Sequence, residues 1–173
     1  DDYLDGNYVL YLGMNEQLAR DGTHMKTSTP DTSGNFNNGA LVGARFPLEF
    51  NNNDNIVGRV GQAIHFNAGN HINVTRARGW DSLREGFTVD FWVRQNSGSG
   101  TVRLFTLQNG IEVYLANGRT LTGVIQDTAG VRRQLNGPTI SNGQWVHVAI
   151  SYNAFNRNQS LWVNGSRVAN TTL

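Results

Sequence analysis

The sequence contains no cysteine, which removes disulfides, thiolate zinc sites and cysteine nucleophiles while leaving the compartment open. It also lacks charge imbalance, since 14 basic and 13 acidic residues give a formal net charge of +1. Nucleic acid is therefore not expected as a partner, because neutralising phosphates calls for a strongly basic surface. Lysine is nearly absent, Lys26 standing alone beside the arginines. Arginine favours planar and stacking contacts, although genome composition alone produces the same skew. No apolar run reaches the length of a membrane span, so no membrane span is expected. The opening residues, Asp1-Asp2-Tyr3-Leu4-Asp5, show neither an initiator methionine nor a signal-peptide apolar run, and they read as a processed chain or an excised domain.

What is present is asparagine, glycine, serine and threonine, the residues of turns rather than helices. At 173 residues the chain is long enough for one domain, taken as 1–173, that buries roughly 70% of its unfolded surface without staples. Alternating apolar residues mark strands at Tyr8 to Met14, Ala40 to Val42, Ala63 to Phe66 and His71 to Val74. Asn15 to Asn38 reads as a loop. Ser82 and Glu85 have capping-box spacing, but Gly86 follows, so Arg78 to Glu85 holds one helical turn. From Phe87 strands recur about every ten residues, as sandwiches and barrels require: Phe87 to Arg94, Val102 to Leu107, Ile111 to Leu115, Leu121 to Gln126 and Val131 to Leu135. Asn109-Gly110 and Asn117-Gly118 stand where hairpins should close.

Gly143 to Gly165 shows the pattern most clearly. Val146, Val148 and Ile150 fall on one face of the first strand and Trp145, His147 and Ala149 on the other. In the second strand Leu161 and Val163 are core-facing, Trp162 points away, and Asn164-Gly165 supplies a tight reversal.

In order, Val9-Leu-Tyr-Leu12, Asp31 to Gly39, Val60 to Phe66, Glu85 to Val93, Gly143 to Ile150 and Leu161-Trp-Val-Asn-Gly165 resemble the laminin-G-like members of the concanavalin A-like lectin/glucanase superfamily. The resemblance implies an all-β fold, an antiparallel jelly-roll sandwich of two sheets. Members usually carry one or two strands after the Val-Asn-Gly turn, whereas here only Val168 to Leu173 remain. The usual last strand or strands are therefore expected outside this chain, supplied by the rest of a larger polypeptide or by a neighbouring copy.

The resemblance places ligands on the outer face of one concave sheet. Parity puts Asp90, Trp92 and Arg94 opposite the core side of their strand, with Arg103 and Phe105 opposite Val102 and Leu104. Glu112, Tyr114, His147 and Trp162 also point outward. If these faces converge, Trp92, Tyr114 and Trp162 offer flat surfaces to a pyranose, and Asp90, Arg94, Glu112 and His147 offer donors and acceptors to its hydroxyls. The same rings could equally cover a second small core. Trp80 and Trp145 are read as structural.

Catalytic signatures are missing. No Glu-x-Asp-x-Glu run exists, Asp90 and Glu112 are the carboxylates that could pair across strands, and Ser151, His147 and Asp90 form a triad on paper alone. No catalytic residue is assigned. Asp31, Ser33, Asn35 and Asn37 place oxygens at alternate positions, and Asn51 to Asn55 add more, which suits structural calcium; Asx turns would use the same residues. The four histidines, His24, His65, His71 and His147, lack transition-metal spacing.

These readings lead to a noncatalytic carbohydrate-binding or adhesion module of a secreted, cell-surface or virion-surface protein, with a glycan or surface polysaccharide as partner. The alternatives are a structural subunit of an extracellular fibre or virion assembling by strand sharing and, further off, a glycan hydrolase or lyase.

Overall fold

In a computed structural model the described residues are 8–14, 28–42, 58–61, 63–66, 69–75, 78–96 and 98–172. The chain divides into two compact units, residues 1–81 and 82–173.

In the first unit β1 (Ser28–Thr29), β2 (Gly39–Val42) and β3 (His71–Asn73) form an antiparallel sheet in that order. Tyr8 to Met14, expected as a strand, makes a single bridge among the described residues, Leu12 to Asp31. Side chains take over there what a ladder would do. The Asp31 carboxylate accepts from Tyr11 N, and the Val9 carbonyl accepts from Asn35 and Asn37 side-chain amides. Ala63 to Phe66 also forms no ladder among the described residues, although Ile64 is buried. A 3-10 turn spans Trp80–Arg84, within the single helical turn read from the capping spacing.

The second unit is built from two four-stranded antiparallel sheets. One runs in the order β11 (Ser166–Thr172), β10 (Asn158–Val163), β9 (Trp145–Asn153), β4 (Gly86–Arg94). The other runs β5 (Val102–Leu107), β6 (Ile111–Ala116), β7 (Thr120–Gln126), β8 (Arg132–Thr139). Alternate residues of both sheets meet in one core: Ile111, Val113, Leu115, Leu121, Ile125 and Leu135 from one, Val146, Val148, Ile150 and Leu161 from the other. Burying apolar side chains of this size contributes about 1.5–3 kcal/mol each. Gly123 lets the layers close, since a Cβ there would stand 2.8 Å from Ile150 Cδ1.

Two departures from simple alternation reach the core. Val102 pairs with Leu115 and Phe105 with Val113, so Leu104 is an extra residue in β5. That bulge turns Phe105 to the core, where parity counted from Val102 had put it outside. Gln159 is the second departure, wholly buried on the core side of β10 with neither amide atom hydrogen-bonded. The reversal at Asn164-Gly165 forms as expected, with φ of 49° and 79°, and leads straight into β11. The segment expected to end without a closing strand thus supplies an edge of its sheet.

Candidate functional site

Strand pairing fixes which outward side chains are neighbours on the β11-β10-β9-β4 sheet. Arg94 lies opposite Trp145, Trp92 opposite His147 and Asp90 opposite Ala149. Ala149 in turn faces Trp162, which faces Arg167 on β11. Because all these residues share the parity opposite Val146, Val148 and Ile150, they share the outer face.

Their contacts make a connected surface. His147 Nε2 is 3.2 Å from Asp90 Oδ1, and the His147 and Trp92 rings lie 5.2 Å apart, tilted by 53°. Trp92 is 43% exposed, high for a ring this large. Trp162 donates its indole N–H to Ser151 Oγ at 3.1 Å, which draws the ring across β9. Arginines flank both ends, Arg94 at 5.3 Å from the Trp145 ring centroid and Arg167 at 5.9 Å from that of Trp162. Such cation–π contacts contribute about 0.5–1 kcal/mol where water reaches them. His147 is fixed further by its own N–H, which donates to Asn164 Oδ1 at 2.9 Å. The β10–β11 turn therefore holds both the hairpin and the base of the site.

Five of the seven residues expected to bind ligand, Asp90, Trp92, Arg94, His147 and Trp162, come together here. Glu112 and Tyr114 do not: they lie on β6 in the opposite sheet, facing away from the shared core. Parity assigns a face within a strand but is silent on which sheet the strand joins. Glu112 there meets Arg132 Nη2 at 2.5 Å. Two residues outside the expected ligand-binding set join the face: Trp145, which parity put outward but which was read as structural, and Arg167. An arginine beside Trp162 could not be read by counting, because β11 holds an extra residue between Arg167 and Ala169.

The separation of the sheets bears on catalysis. Carboxylates on opposite outer faces, such as Asp90 and Glu112, stand farther apart than the roughly 10 Å between sheets, beyond the 5–5.5 Å of a retaining pair. Ser151 lies four residues from His147 along β9, about 13 Å at strand rise, and its hydroxyl receives the Trp162 N–H. Neither arrangement assembles.

The residues expected to hold calcium tie their own loop together by hydrogen bonds. Asp31 Oδ1 accepts from Tyr11 N and Ser33 N, and Oδ2 accepts from Asn37 N, each at 2.9 Å. Asn35 reaches the Tyr8 and Val9 carbonyls, and Asn37 both donates to the Arg78 carbonyl and accepts from Arg78 N. Burial pushes the Asp31 carboxyl up, but the hydrogen bonds from Tyr11, Ser33 and Asn37 outweigh it and hold it below the usual range. The Asp31 carboxylate thus accepts three N–H groups of the surrounding loop. Asn51 to Asn55 lie outside the described residues.

A family model of laminin-G type, described as the concanavalin A-like lectin/glucanases superfamily, matches residues 66–173. The chain belongs to this superfamily. Superfamily membership agrees with solved structures of similar fold. The binding domain of Paraclostridial Mosquitocidal Protein 1 is 18% identical, with a TM-score of 0.62 over 87% of this chain and 41% of that one. The HCR/D mutant structure is 18% identical, with a TM-score of 0.59 over 95% of this chain and 39% of that one. A structure of botulinum neurotoxin type C is 16% identical, with a TM-score of 0.54 over 88% and 39%. This superfamily member thus spans about two fifths of the length of each. No curated protein matches it.

Proposed function

We propose that the chain is a noncatalytic carbohydrate-binding module of a secreted or surface protein, and that it receives sugar on the outer face of the β11-β10-β9-β4 sheet. One observation carries this reading: Trp92, His147 and Trp162 are gathered on one solvent-facing surface with Asp90, Arg94 and Arg167 beside them. Aromatic planes stack on the C–H faces of a pyranose. A carboxylate, an imidazole and guanidinium groups beside them complement its hydroxyls or an acidic substituent. Superfamily membership supports the reading, as does the use of this fold in botulinum neurotoxin type C, which depends on two ganglioside molecules to enter cells.

The test is titration of intrinsic tryptophan fluorescence with neutral and acidic oligosaccharides, guided by a glycan array. Binding should weaken about tenfold or more in Trp92→Ala and in Trp162→Ala, as when aromatic anchors of other interfaces are truncated. Absence of binding to every sugar overturns the proposal.

A further inference from the structure

Among the described residues the second unit has four edge strands, β4 and β11 in one sheet and β5 and β8 in the other. Edges expose backbone groups that can pair with another chain, and proteins guard them with bulges, proline or charge. Three edges here are guarded. β5 has the Leu104 bulge, and β11 has an extra residue, Val168, between the partners of Leu161 and Trp162. β8 carries Arg132, Arg133 and Pro138, with a broken register near its end. β4 is different: its nine residues pair with β9 in one unbroken register, include no proline, and carry one charge of each sign, Asp90 and Arg94, rather than charges of a single sign. Among the described residues no strand pairs with β4 on the side away from β9. Its core-side row, Phe87, Val89, Phe91 and Val93, is only half-buried, whereas Val146, Val148 and Ile150 beside it on β9 are buried.

We infer that β4 is an association edge, where a second copy adds its own β4 antiparallel to form one continuous sheet about a two-fold axis. Charge selects the register. Full overlap of the strands would centre on Asp90 and set two aspartates face to face, a destabilising pair. Moving the axis to Phe91 or Trp92 keeps the core-side row in line. Asp90 of each copy then lies diagonal to, or directly across from, Arg94 of the other. Phe91 and Val93 meet their counterparts in an aromatic and β-branched strip. The outer faces run together as well, so Trp92 of one copy neighbours Trp92 of the other. If the sugar-binding reading holds, the dimer presents one aromatic platform with two sites.

The experiment is light scattering on the full chain in sugar-free buffer, which leaves the sugar-binding reading untouched whatever its result. Wild type should show twice the monomer mass. Asp90→Arg and Arg94→Asp should each abolish the dimer by setting like charges together. An equimolar mixture of the two variants, and the double variant, should restore it, because opposite charges again meet across the axis. A wild-type monomer, a single variant that remains dimeric, or a mixture that fails to recover twofold mass overturns the inference.

Discussion

Gln159 carries an unusual burden. Its amide is wholly enclosed in an apolar core and both polar atoms are unpartnered, although such groups are costly to strip of water. Gln159→Met, which keeps the length and removes both polar atoms, should raise stability by about 1–3 kcal/mol in urea unfolding. A drop in stability would show that the amide has a partner in solution. Leu161, across the same strand and also fully buried, should behave oppositely, with Leu161→Ala costing about 2–5 kcal/mol. Asp31 brings pH into the first unit. Its folded carboxyl titrates below the unfolded value, so its stabilisation is complete above the ordinary aspartate pKa of about 3.9 and disappears as pH falls through the lowered value. The Tyr11, Ser33 and Asn37 amide resonances should therefore shift together in acid, and Asp31→Asn should remove that transition.

At the scale of elements, hairpins were the most legible part of the sequence. Asn164-Gly165 closes β10 onto β11 with both residues at positive φ, as an asparagine-glycine pair between alternating runs requires. Gly165→Ala should cost about 1 kcal/mol, read as a lowered melting temperature, and should also loosen the Asn164 contact to His147 N. The alternation of β4, β9 and β10 placed Asp90, Trp92, Arg94, His147 and Trp162 on outer faces correctly. Counting failed at bulges, because one extra residue inverts the parity that follows. Phe105 went astray in that way. Tyr8 to Met14 failed for another reason: its alternation is that of a strand, but its backbone is bound by the Asp31 to Asn37 side chains.

At the scale of the molecule, the order of strands within sheets was not legible, since nothing local tells β6 that it will lie in the sheet opposite β9. Glu112 and Tyr114 were lost from the site on that account. The core, by contrast, followed from composition and alternation, and its distribution predicts dynamics. The apolar residues with no exposure, Val113, Leu115, Leu121, Val148, Ile150 and Leu161, lie on β6, β7, β9 and β10. Amides there should exchange with deuterium last and together, and those of the edge strands β8 and β11 earlier. Uniform exchange across both groups would contradict this ranking.

The extra residue in β11 also decides what stands beside the Trp162 indole. In a regular ladder the residue just before Ala169 would face Trp162, and that residue is Val168; the bulge passes the position to Arg167. Loss of Arg167 would straighten the ladder and give the place beside the indole to Val168, whereas loss of Val168 would straighten it and leave Arg167 there. Which single residue is removed from this short stretch, rather than any change to the aromatic residues, thus decides whether a guanidinium or an apolar side chain stands beside Trp162 on the proposed sugar face.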